Sequence, residues 1–309
     1  MKLGVISDIH SNIYAFRACM EFMEKEGCEE YLFLGDFISD TPYTRETLDY
    51  LYEFRKKYCC YLCRGNREEY MLYQRQVRMG NVEGQEWIYN SASGNLLYTY
   101  EQLEEADFTF LEKLPLSFVY EKGGYPAITC CHGSPGNTRE LLRINGEPVK
   151  HWLDRINTDY LLCAHTHYPE ECVYHGKFYY NTGCVGIAIG DAGFAQCMIL
   201  EEDWQKNKVV WKPRFLKIPY DNRKVVRDIM ERGLLEKASW FMNSNIQILL
   251  TGVDHSAELV AMAVRLEKEK NEQAEWPLID ESYFKLAAET LGVPDYRKMT
   301  AIEKQMERK

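Results

Sequence analysis

The stretch GVISDIHSN, residues 4–12, places an aspartate and a histidine directly after a short apolar run. A run of this kind, bounded by polar residues, is typical of a buried strand. Asp8 and His10 would then leave the sheet together at the carboxyl end of that strand. In an open sheet of parallel strands, ligands bind at this edge. The stretch therefore predicts both the first strand of an α/β fold and one part of a binding site.

Four further apolar runs resemble the first, and each is followed by residues that can bind a metal or form a loop. The runs and the residues that follow them are Tyr31–Leu34 with Gly35 and Asp36, Tyr58–Cys63 with Gly65 and Asn66, Ala127–Cys131 with His132, and Tyr160–Cys163 with His165 and His167. Amphipathic stretches at 13–26 and 44–57 separate the first three runs. The chain therefore opens with a βαβαβ pattern, for which parallel strands and right-handed crossovers are expected.

The remainder of the chain divides into three regions. Residues 68–112 are aromatic and polar, with helical periodicity near the end, and indicate a helical insertion. Short strand-like stretches at 171–174, 177–180, 196–200 and 208–217 indicate a second, mixed or antiparallel sheet. Helical patterns follow at 222–231, 257–270 and 281–291. We expect one domain over residues 1–219 and a helical extension over residues 220–309.

Composition limits the partners that this chain can have. Its 309 residues are 46% hydrophobic and 27% charged, with a formal net charge of −10. A field of this sign repels nucleic-acid duplexes and anionic membranes, whereas a small phosphate ester can still bind at a local positive centre. The chain has neither an apolar run of membrane-spanning length nor a leader pattern, so we expect a cytoplasmic protein.

The eleven cysteines form an odd number, and several lie within apolar runs. This pattern is typical of reduced, buried thiols rather than of a disulfide framework. Cys60 and Cys63 have CxxC spacing, but they lie in a predicted strand and have no second CxxC pair. We interpret them as core residues rather than as a zinc or redox site.

The residues at the strand ends form one ligand set. Four of the seven histidines fall among them, together with two aspartates and one asparagine. A mixed set of oxygen and nitrogen ligands suits Mn, Fe, Co, Ni or Zn ions, and it contains too much imidazole for a Ca²⁺ or Mg²⁺ site. Seven ligands are more than one tetrahedral ion needs, and a shared carboxylate can join two metals. The pattern predicts a binuclear centre with two divalent metal ions.

The order of these blocks resembles the calcineurin-like metallophosphoesterases over residues 2–219. Three stretches are most similar to the small bacterial branch of this family: SDIHSN at 7–12, HGSPG at 132–136 and NTGCVG at 181–186. This branch includes phosphodiesterases and proteins that have been compared with diadenosine tetraphosphatases. The resemblance implies an α/β fold: a four-layer αββα sandwich of two mixed β-sheets flanked by helices. It also implies a hydrolase that attacks a small phosphodiester or nucleoside polyphosphate in line, through a metal-bound hydroxide.

The resemblance also assigns roles to individual residues. The first metal would be held by Asp8, His10, Asp36 and His167. The second would be held by Asn66, His132 and His165, with Asp36 as the bridge. The residues implied to act directly in catalysis are Asp36, Asn66, Arg67 and His132.

Arg67 departs from the family pattern, which often has a histidine after Gly-Asn. Because an arginine stays protonated, it cannot serve as an ordinary general acid. Two interpretations remain open: Arg67 binds phosphate oxygens, or it pairs with Glu68 or another surface carboxylate. If Arg67 binds phosphate oxygens, the site suits substrates with good leaving groups better than it suits alkyl phosphomonoesters.

Several nearby polar residues allow simpler interpretations. We expect Asp40 to cap the helix that begins near Thr44. We expect Asn12 to cap the helix that directly follows it. Arg139 and Arg143 follow HGSPG closely enough to reach a phosphate. The aromatic residues at 70–100 are expected to pack between helices rather than to stack on a nucleobase.

Two other functions remain as alternatives. The first is protein serine/threonine phosphatase activity, and the second is a non-catalytic interaction scaffold on the same fold. The oligomeric state stays open, with a homodimer as one option.

Overall fold

The computed structural model describes residues 1–144, 146–205 and 208–301. Its centre is a pair of mixed five-stranded sheets. The strands of the first sheet, in spatial order, are β10 (Lys208–Pro219), β9 (Phe194–Gln205), β1 (Lys2–Ile6), β2 (Glu30–Leu34) and β3 (Cys59–Cys63). Strands β1, β2 and β3 are parallel to one another, whereas β9 runs antiparallel to both β1 and β10.

The second sheet is also mixed. Its strands, in spatial order, are β4 (Ser117–Tyr120), β5 (Ile128–Cys131), β6 (Tyr160–Cys163), β8 (Lys177–Thr182) and β7 (Pro169–Tyr174). Strands β5, β6 and β8 are parallel, and the two edge strands are antiparallel to their neighbours. Each sheet therefore has three adjacent parallel strands, and their carboxyl ends can carry a site.

Helices cover the outer faces of both sheets. The helices that precede the last strand are α1 (Ile13–Lys25), α2 (Thr44–Lys57), α3 (Asn66–Arg78), α4 (Gly94–Tyr100), α5 (Glu105–Lys113) and α6 (Glu147–Arg155). The helices after it are α7 (Asn222–Glu231), α8 (Leu234–Lys237), α9 (Ser239–Thr251), α10 (Ser256–Lys268) and α11 (Glu281–Leu291), followed by a 3₁₀ helix at Tyr296–Ala301.

Separate apolar cores hold the layers together. Leu3, Leu32 and Leu162 belong to a buried cluster between the two sheets. Phe16 on α1 packs with Phe33 on the outer face of the first sheet. A further cluster joins α6 to the second sheet. Because an apolar layer lies on each side of each sheet, the order of layers is helix, sheet, sheet, helix, as expected for the predicted αββα sandwich.

The pairing of the later strands differs from the sequence-based expectation. The stretches at 171–217 were expected to form a separate sheet, but β9 and β10 join the first sheet beside β1. Strands β5 and β6 complete the second sheet with β7 and β8. Short connections indicate that neighbouring strands are antiparallel, but they carry no information about which sheet a hairpin joins.

The described residues after Pro219 are helical, as expected, and two groups of helices form there. Helices α7, α8 and α9 pack into the same core as α1, whereas α10 and α11 pack in a separate cluster that also includes Ala92 and Trp240. The domain boundary at residue 219 stays a prediction, and residues 302–309 of the extension lie outside the described residues. No helix in the described part of the chain combines the length and the apolar character that are needed to cross a lipid bilayer.

All eleven cysteines are free thiols. Cys63 is completely buried at the end of β3, whereas Cys60 is only partly buried. Both cysteines lie in β3, as predicted, but only Cys63 is a fully buried core residue.

Candidate metal centre

The seven predicted ligands lie at one place, at the carboxyl ends of β1, β2, β3, β5 and β6. Five of the seven have a positive φ angle: Asp8 (51°), His10 (48°), Asp36 (53°), His165 (66°) and His167 (60°). This left-handed conformation is rare for residues other than glycine, and it concentrates at functional sites. Here it turns the side chains inward as the backbone leaves each strand.

Two glycines let the ends of β2 and β3 approach closely. A Cβ atom on Gly65 would lie 2.1 Å from Asp36 Oδ1. Gly35 has a φ of +84°, and its Cβ would lie 2.4 Å from the backbone nitrogen of Gly65. A side chain at Gly65 would therefore displace Asp36, and one at Gly35 would displace the backbone of Gly65, which explains why a glycine precedes both Asp36 and Asn66.

Four of the predicted ligands form a first cluster. The Nε2 atoms of His10 and His167 are 3.1 Å apart. Asp8 Oδ1 lies 3.3 Å from His167 Nε2 and 3.8 Å from His10 Nε2. Asp36 Oδ2 completes the group at 3.9 Å from His10 Nε2. These donor atoms face one another at distances that allow a single cation to contact several of them.

The other three ligands form a second group that also borders Asp36, and in this group His132 Nε2 lies 4.0 Å from Asp8 Oδ1. His132 Nε2 is 3.0 Å from Asn66 Oδ1 and 3.5 Å from Asp36 Oδ2. The His165 ring lies beside His132, with ring centroids 5.0 Å apart. One oxygen, Asp36 Oδ2, therefore lies within 4 Å of both His10 of the first cluster and His132 of the second.

Hydrogen bonds from outside the clusters fix the orientation of the ligands. His132 Nδ1 donates to the carbonyl oxygen of Leu34 at 2.7 Å, which leaves Nε2 free to face Asp36. The backbone N–H of Arg67 donates to Asp36 Oδ1 at 2.8 Å, so Oδ2 is the oxygen directed between the clusters. Partners of this kind orient metal ligands and set their tautomers.

Glu68 holds the two glycine loops together. Its carboxylate accepts hydrogen bonds from the backbone nitrogens of Gly65 (2.7 Å), Asp36 (2.9 Å) and Phe37 (2.8 Å). Burial and the neighbouring Asp36 raise the pKa of Glu68 to about 7, while the N–H donors favour the carboxylate. Glu68 is completely buried, so it is a structural group behind the site rather than a surface partner for Arg67.

Burial and neighbouring charges separate the pKa values of the ligands. Burial raises the pKa of Asp36 to about 6, and Asp8 contributes to this rise. For Asp8, the nearby His167 and His132 outweigh burial and hold its pKa well below the usual range. Burial lowers the pKa of His165 to about 3 and also lowers that of His132. Both rings are therefore neutral at pH 7, the form that binds a metal.

The unpaired atoms of the site fit a bound cation. Asp8 Oδ1 is fully buried and accepts no hydrogen bond from any described residue, although a buried carboxylate oxygen without a partner is costly. Asp8, His10 and Asp36 offer donor atoms within 4.8 Å of one another, as do His10, His167 and Cys184. The combination of carboxylate, imidazole and amide donors suits a borderline divalent ion.

Asp40 was predicted to cap α2, and this prediction is wrong. Helix α2 begins after Tyr43 without any side-chain cap. Asp40 is instead buried behind the site, where its Oδ2 lies 2.8 Å from His10 Nδ1 and 3.0 Å from Arg67 Nη2. Arg67 therefore pairs with a buried carboxylate of the site and not with Glu68 or a surface residue. Asn12 does cap α1, because its Oδ1 accepts from the backbone nitrogen of Ala15.

Two residues close to the ligands were not identified from the sequence. Asp40 lies four positions after Asp36, and only the bend at Ser39 and Asp40, which both have positive φ, returns it to His10. Cys184 lies within the NTGCVG stretch, and its buried thiol donates to the carbonyl oxygen of Asp8 at 3.2 Å. The glycines around Cys184 signalled a tight loop. The position of Cys184 beside His10 and His167 depends on hydrogen bonds between the segments that follow β8 and β1, in which the backbone nitrogens of Val185 and Gly186 donate to the carbonyl oxygens of Ser7 and Asp8.

The structure separates the two arginines that follow HGSPG. Arg143 forms an ion pair with Glu170, with 2.7 Å between Nε and Oε1. Arg139 is exposed, and its guanidinium lies over the ring of Tyr70 at 4.8 Å from the ring centroid. Only Arg139 therefore faces the side of the site that Arg67 also borders.

Comparison with known proteins identifies the family. The family model for calcineurin-like phosphoesterases matches residues 1–169, more than half of the 309-residue chain. The chain therefore belongs to the calcineurin-like phosphoesterase family and is a hydrolase of phosphoester bonds. Membership implies divalent metal ions, in agreement with the donor atoms described above.

Two solved structures share the fold. They are the hypothetical protein PH1004 from Pyrococcus horikoshii OT3, with a TM-score of 0.65, and a metallophosphoesterase from Sphaerobacter thermophilus, with a TM-score of 0.61. Each is 21% identical to this chain, and each alignment covers 82% of this chain and 99% of the other. No significant match was found among curated protein sequences.

Proposed function

We propose that this protein is a binuclear metal-dependent phosphoesterase that hydrolyses a small phosphodiester or a nucleoside polyphosphate. One observation carries the proposal: Asp36 Oδ2 is close to both His10 Nε2, at 3.9 Å, and His132 Nε2, at 3.5 Å. A carboxylate oxygen shared by two ligand groups is the arrangement that two-metal sites use.

We assign the ligands to two ions as the resemblance implies. Asp8, His10 and His167 would hold one ion with Asp36, and Asn66, His132 and His165 would hold the other. When bound, two divalent ions supply Lewis acidity that activates water and neutralises charge on the phosphate. Their identity stays a choice among Mn, Fe, Zn, Ni and Co.

The residues around the ions would bind the substrate. Asp8 and Asp36 add two negative charges to a pair of ions with four positive ones, so the loaded site keeps a positive excess that attracts a phosphate ester. Arg67 lies at the rim of the site, with its side chain about one-fifth exposed. It would bind the oxygens of the phosphate or of a departing phosphate group.

The permanent positive charge of Arg67 limits the class of substrate. Since arginine does not release a proton at working pH, the leaving group must depart without a strong general acid. Aryl-like diesters and nucleoside polyphosphates meet this condition, in agreement with the likeness to the small bacterial phosphodiesterase and diadenosine tetraphosphatase-like branch. All seven ligand positions are occupied by ligand-type residues, and this supports an enzyme over a scaffold.

The proposal is tested by metal analysis and by turnover of bis-p-nitrophenyl phosphate with and without Mn²⁺. We expect two metal ions per chain and Mn²⁺-dependent turnover in the wild type, and loss of both in His132→Ala. His151→Ala is a matched control, because His151 is exposed on α6 and away from the site. Substoichiometric metal without turnover in the wild type would favour the scaffold, and preferential turnover of a phosphopeptide would favour the protein phosphatase.

A further inference from the structure

A large cavity opens directly beside the candidate metal centre. Its volume is about 690 Å³, within the range of pockets that enclose small organic ligands. Asn66 and His165, two of the predicted ligands of the second metal, form part of its wall together with Arg67. A group attached to a phosphate at the metal centre would therefore extend into this cavity.

Aromatic side chains form much of the cavity wall. Tyr70 and Tyr73 come from α3, Trp87 from the segment before α4, and Trp276 from the segment between α10 and α11. Tyr73 and Trp276 are 47% and 37% exposed, which is unusual for large aromatic residues that only pack between helices. The rings of Tyr73 in the insertion and Trp276 in the helical extension are therefore accessible to a ligand, whereas Trp87 is buried and packs against Tyr100.

Two arginines lie at the end of the cavity nearest the metal centre. The guanidinium carbons of Arg67 and Arg139 lie 5.9 Å and 4.8 Å from the centroid of the Tyr70 ring. Arg139 has no carboxylate within ion-pair distance among the residues that the structure describes. The lining residues include no aspartate or glutamate, although the chain carries a net charge of −10. The cavity therefore favours an anion at one end and an uncharged group in its body.

The opposite wall comes from the helical extension. Helix α10 contributes Ser256, Ala257, Val260 and Ala261 to the cavity. Ala257 and Ala261 are exposed, whereas Leu259 and Ala263 face the core that α10 shares with α11. The face of α10 that borders the cavity thus carries small, uncharged side chains, which leave room for a flat ring to lie against the helix.

We infer that this cavity binds an aromatic group of the phosphoester substrate, such as a nucleobase, between the aromatic residues of α3 and the small residues of α10. The inference rests on the proposed phosphoesterase activity and names the substrate class. The helical extension is then the element that determines specificity, while Arg139 positions the phosphate. Stacking on aromatic side chains binds any planar ring, so the cavity selects aromatic character rather than one particular base.

The test uses three diesters that release the same 4-nitrophenolate and differ in the retained group: methyl, cyclohexylmethyl and benzyl. The last two are similar in size, so their comparison isolates aromatic character from bulk. We expect kcat/KM for the benzyl ester to exceed that for the other two by about tenfold in the Mn²⁺-loaded wild type. Ala261→Trp, which fills the cavity, should remove this preference. Leu286→Trp adds the same side chain on the exposed face of α11 and should retain the preference.

The possible outcomes separate this inference from the proposed activity. Equal rates for the three esters, or a preference that survives in Ala261→Trp, would overturn the aromatic cavity and leave the phosphoesterase intact. If the protein hydrolyses none of the three esters, the proposed phosphoesterase activity is wrong. Calorimetric titration with benzyl phosphate and cyclohexylmethyl phosphate would then still test the cavity. Should Ala261→Trp fail to fold, Tyr70→Leu removes the ring between the arginines and should lower the preference in the same way.

Discussion

Arg67 and Asp40 form an ion pair beside the metal centre, with Nη2 of Arg67 3.0 Å from Oδ2 of the buried Asp40. The same oxygen lies 2.8 Å from Nδ1 of His10. Burial alone would raise the pKa of Asp40, but Arg67 and His10 outweigh it and hold the pKa well below its usual range. Asp40 is therefore ionised. It links His10, a predicted metal ligand, to Arg67, which borders the cavity beside the metal centre.

Asp40→Asn should weaken metal binding without removing a ligand. The carboxylate orients His10 so that Nε2 faces the first cluster, and loss of such a partner lowers metal affinity by roughly 10- to 100-fold. Competition for Mn²⁺ with a chelator measures this change. Asp49→Asn is the control, because Asp49 lies exposed on α2. Wild-type affinity in Asp40→Asn would show that His10 needs no such support.

Arg67→Lys should lower kcat/KM by about a hundredfold, because one fixed donor at a reacting phosphate makes a contribution of that size. Lysine keeps the charge and loses the planar, two-pronged geometry. The metal content should stay at the wild-type level, since Arg67 is not a ligand. Arg143→Lys serves as the control, because Arg143 pairs with Glu170. An Arg67→Lys protein with wild-type kinetics would reduce Arg67 to a structural partner of Asp40.

Glu68→Ala should destabilise the metal-free protein by about 3 kcal/mol or more, because three backbone N–H groups lose their acceptor inside the protein. Urea unfolding at pH 8, where the Glu68 carboxylate is ionised, measures the effect. Glu68→Gln keeps one acceptor oxygen and should cost less. Glu53→Ala, at an exposed position on α2, should change stability by no more than about 0.5 kcal/mol. A similar loss in the two alanine variants would contradict the role of Glu68.

Metal binding should release protons, and the number released should rise as the pH falls. Burial lowers the pKa of His167, but the carboxylate of Asp8 raises it, with a net rise well above the usual value that favours the protonated ring at pH 7. Asp36 has a pKa of about 6, so it is ionised above pH 6 and protonated below it. Both must be deprotonated to bind a metal. His165, whose pKa is about 3, releases no proton in this range.

Calorimetric titration with Mn²⁺ in two buffers of different ionisation enthalpy counts these protons. We expect about one proton at pH 7, from His167, and a larger number at pH 5.5, where Asp36 also contributes. The affinity should accordingly fall more steeply with pH below pH 6 than above it. Identical heats in the two buffers at pH 7 would contradict a protonated His167.

The sequence by itself determined the local elements and the order of the polar residues that follow them. Helices α2, α7 and α11 have the predicted bounds, because regular apolar spacing and distinct ends mark them. Apolar runs followed by Asp8, Asp36 and His132 predicted strand ends, and parallel strands bring such ends to one edge. This local information sufficed to predict which residues lie together, and their role as ligands stays a prediction.

Only the tertiary structure decided which sheet β9 and β10 join, and that Asp40 turns back toward His10. Helix α9 was also missed, because it is buried on most sides and so lacks an amphipathic pattern. The cavity combines α3 with α10, which is almost two hundred positions later in the chain. Such contacts depend on packing between distant segments, and packing leaves no periodic signal in either segment alone.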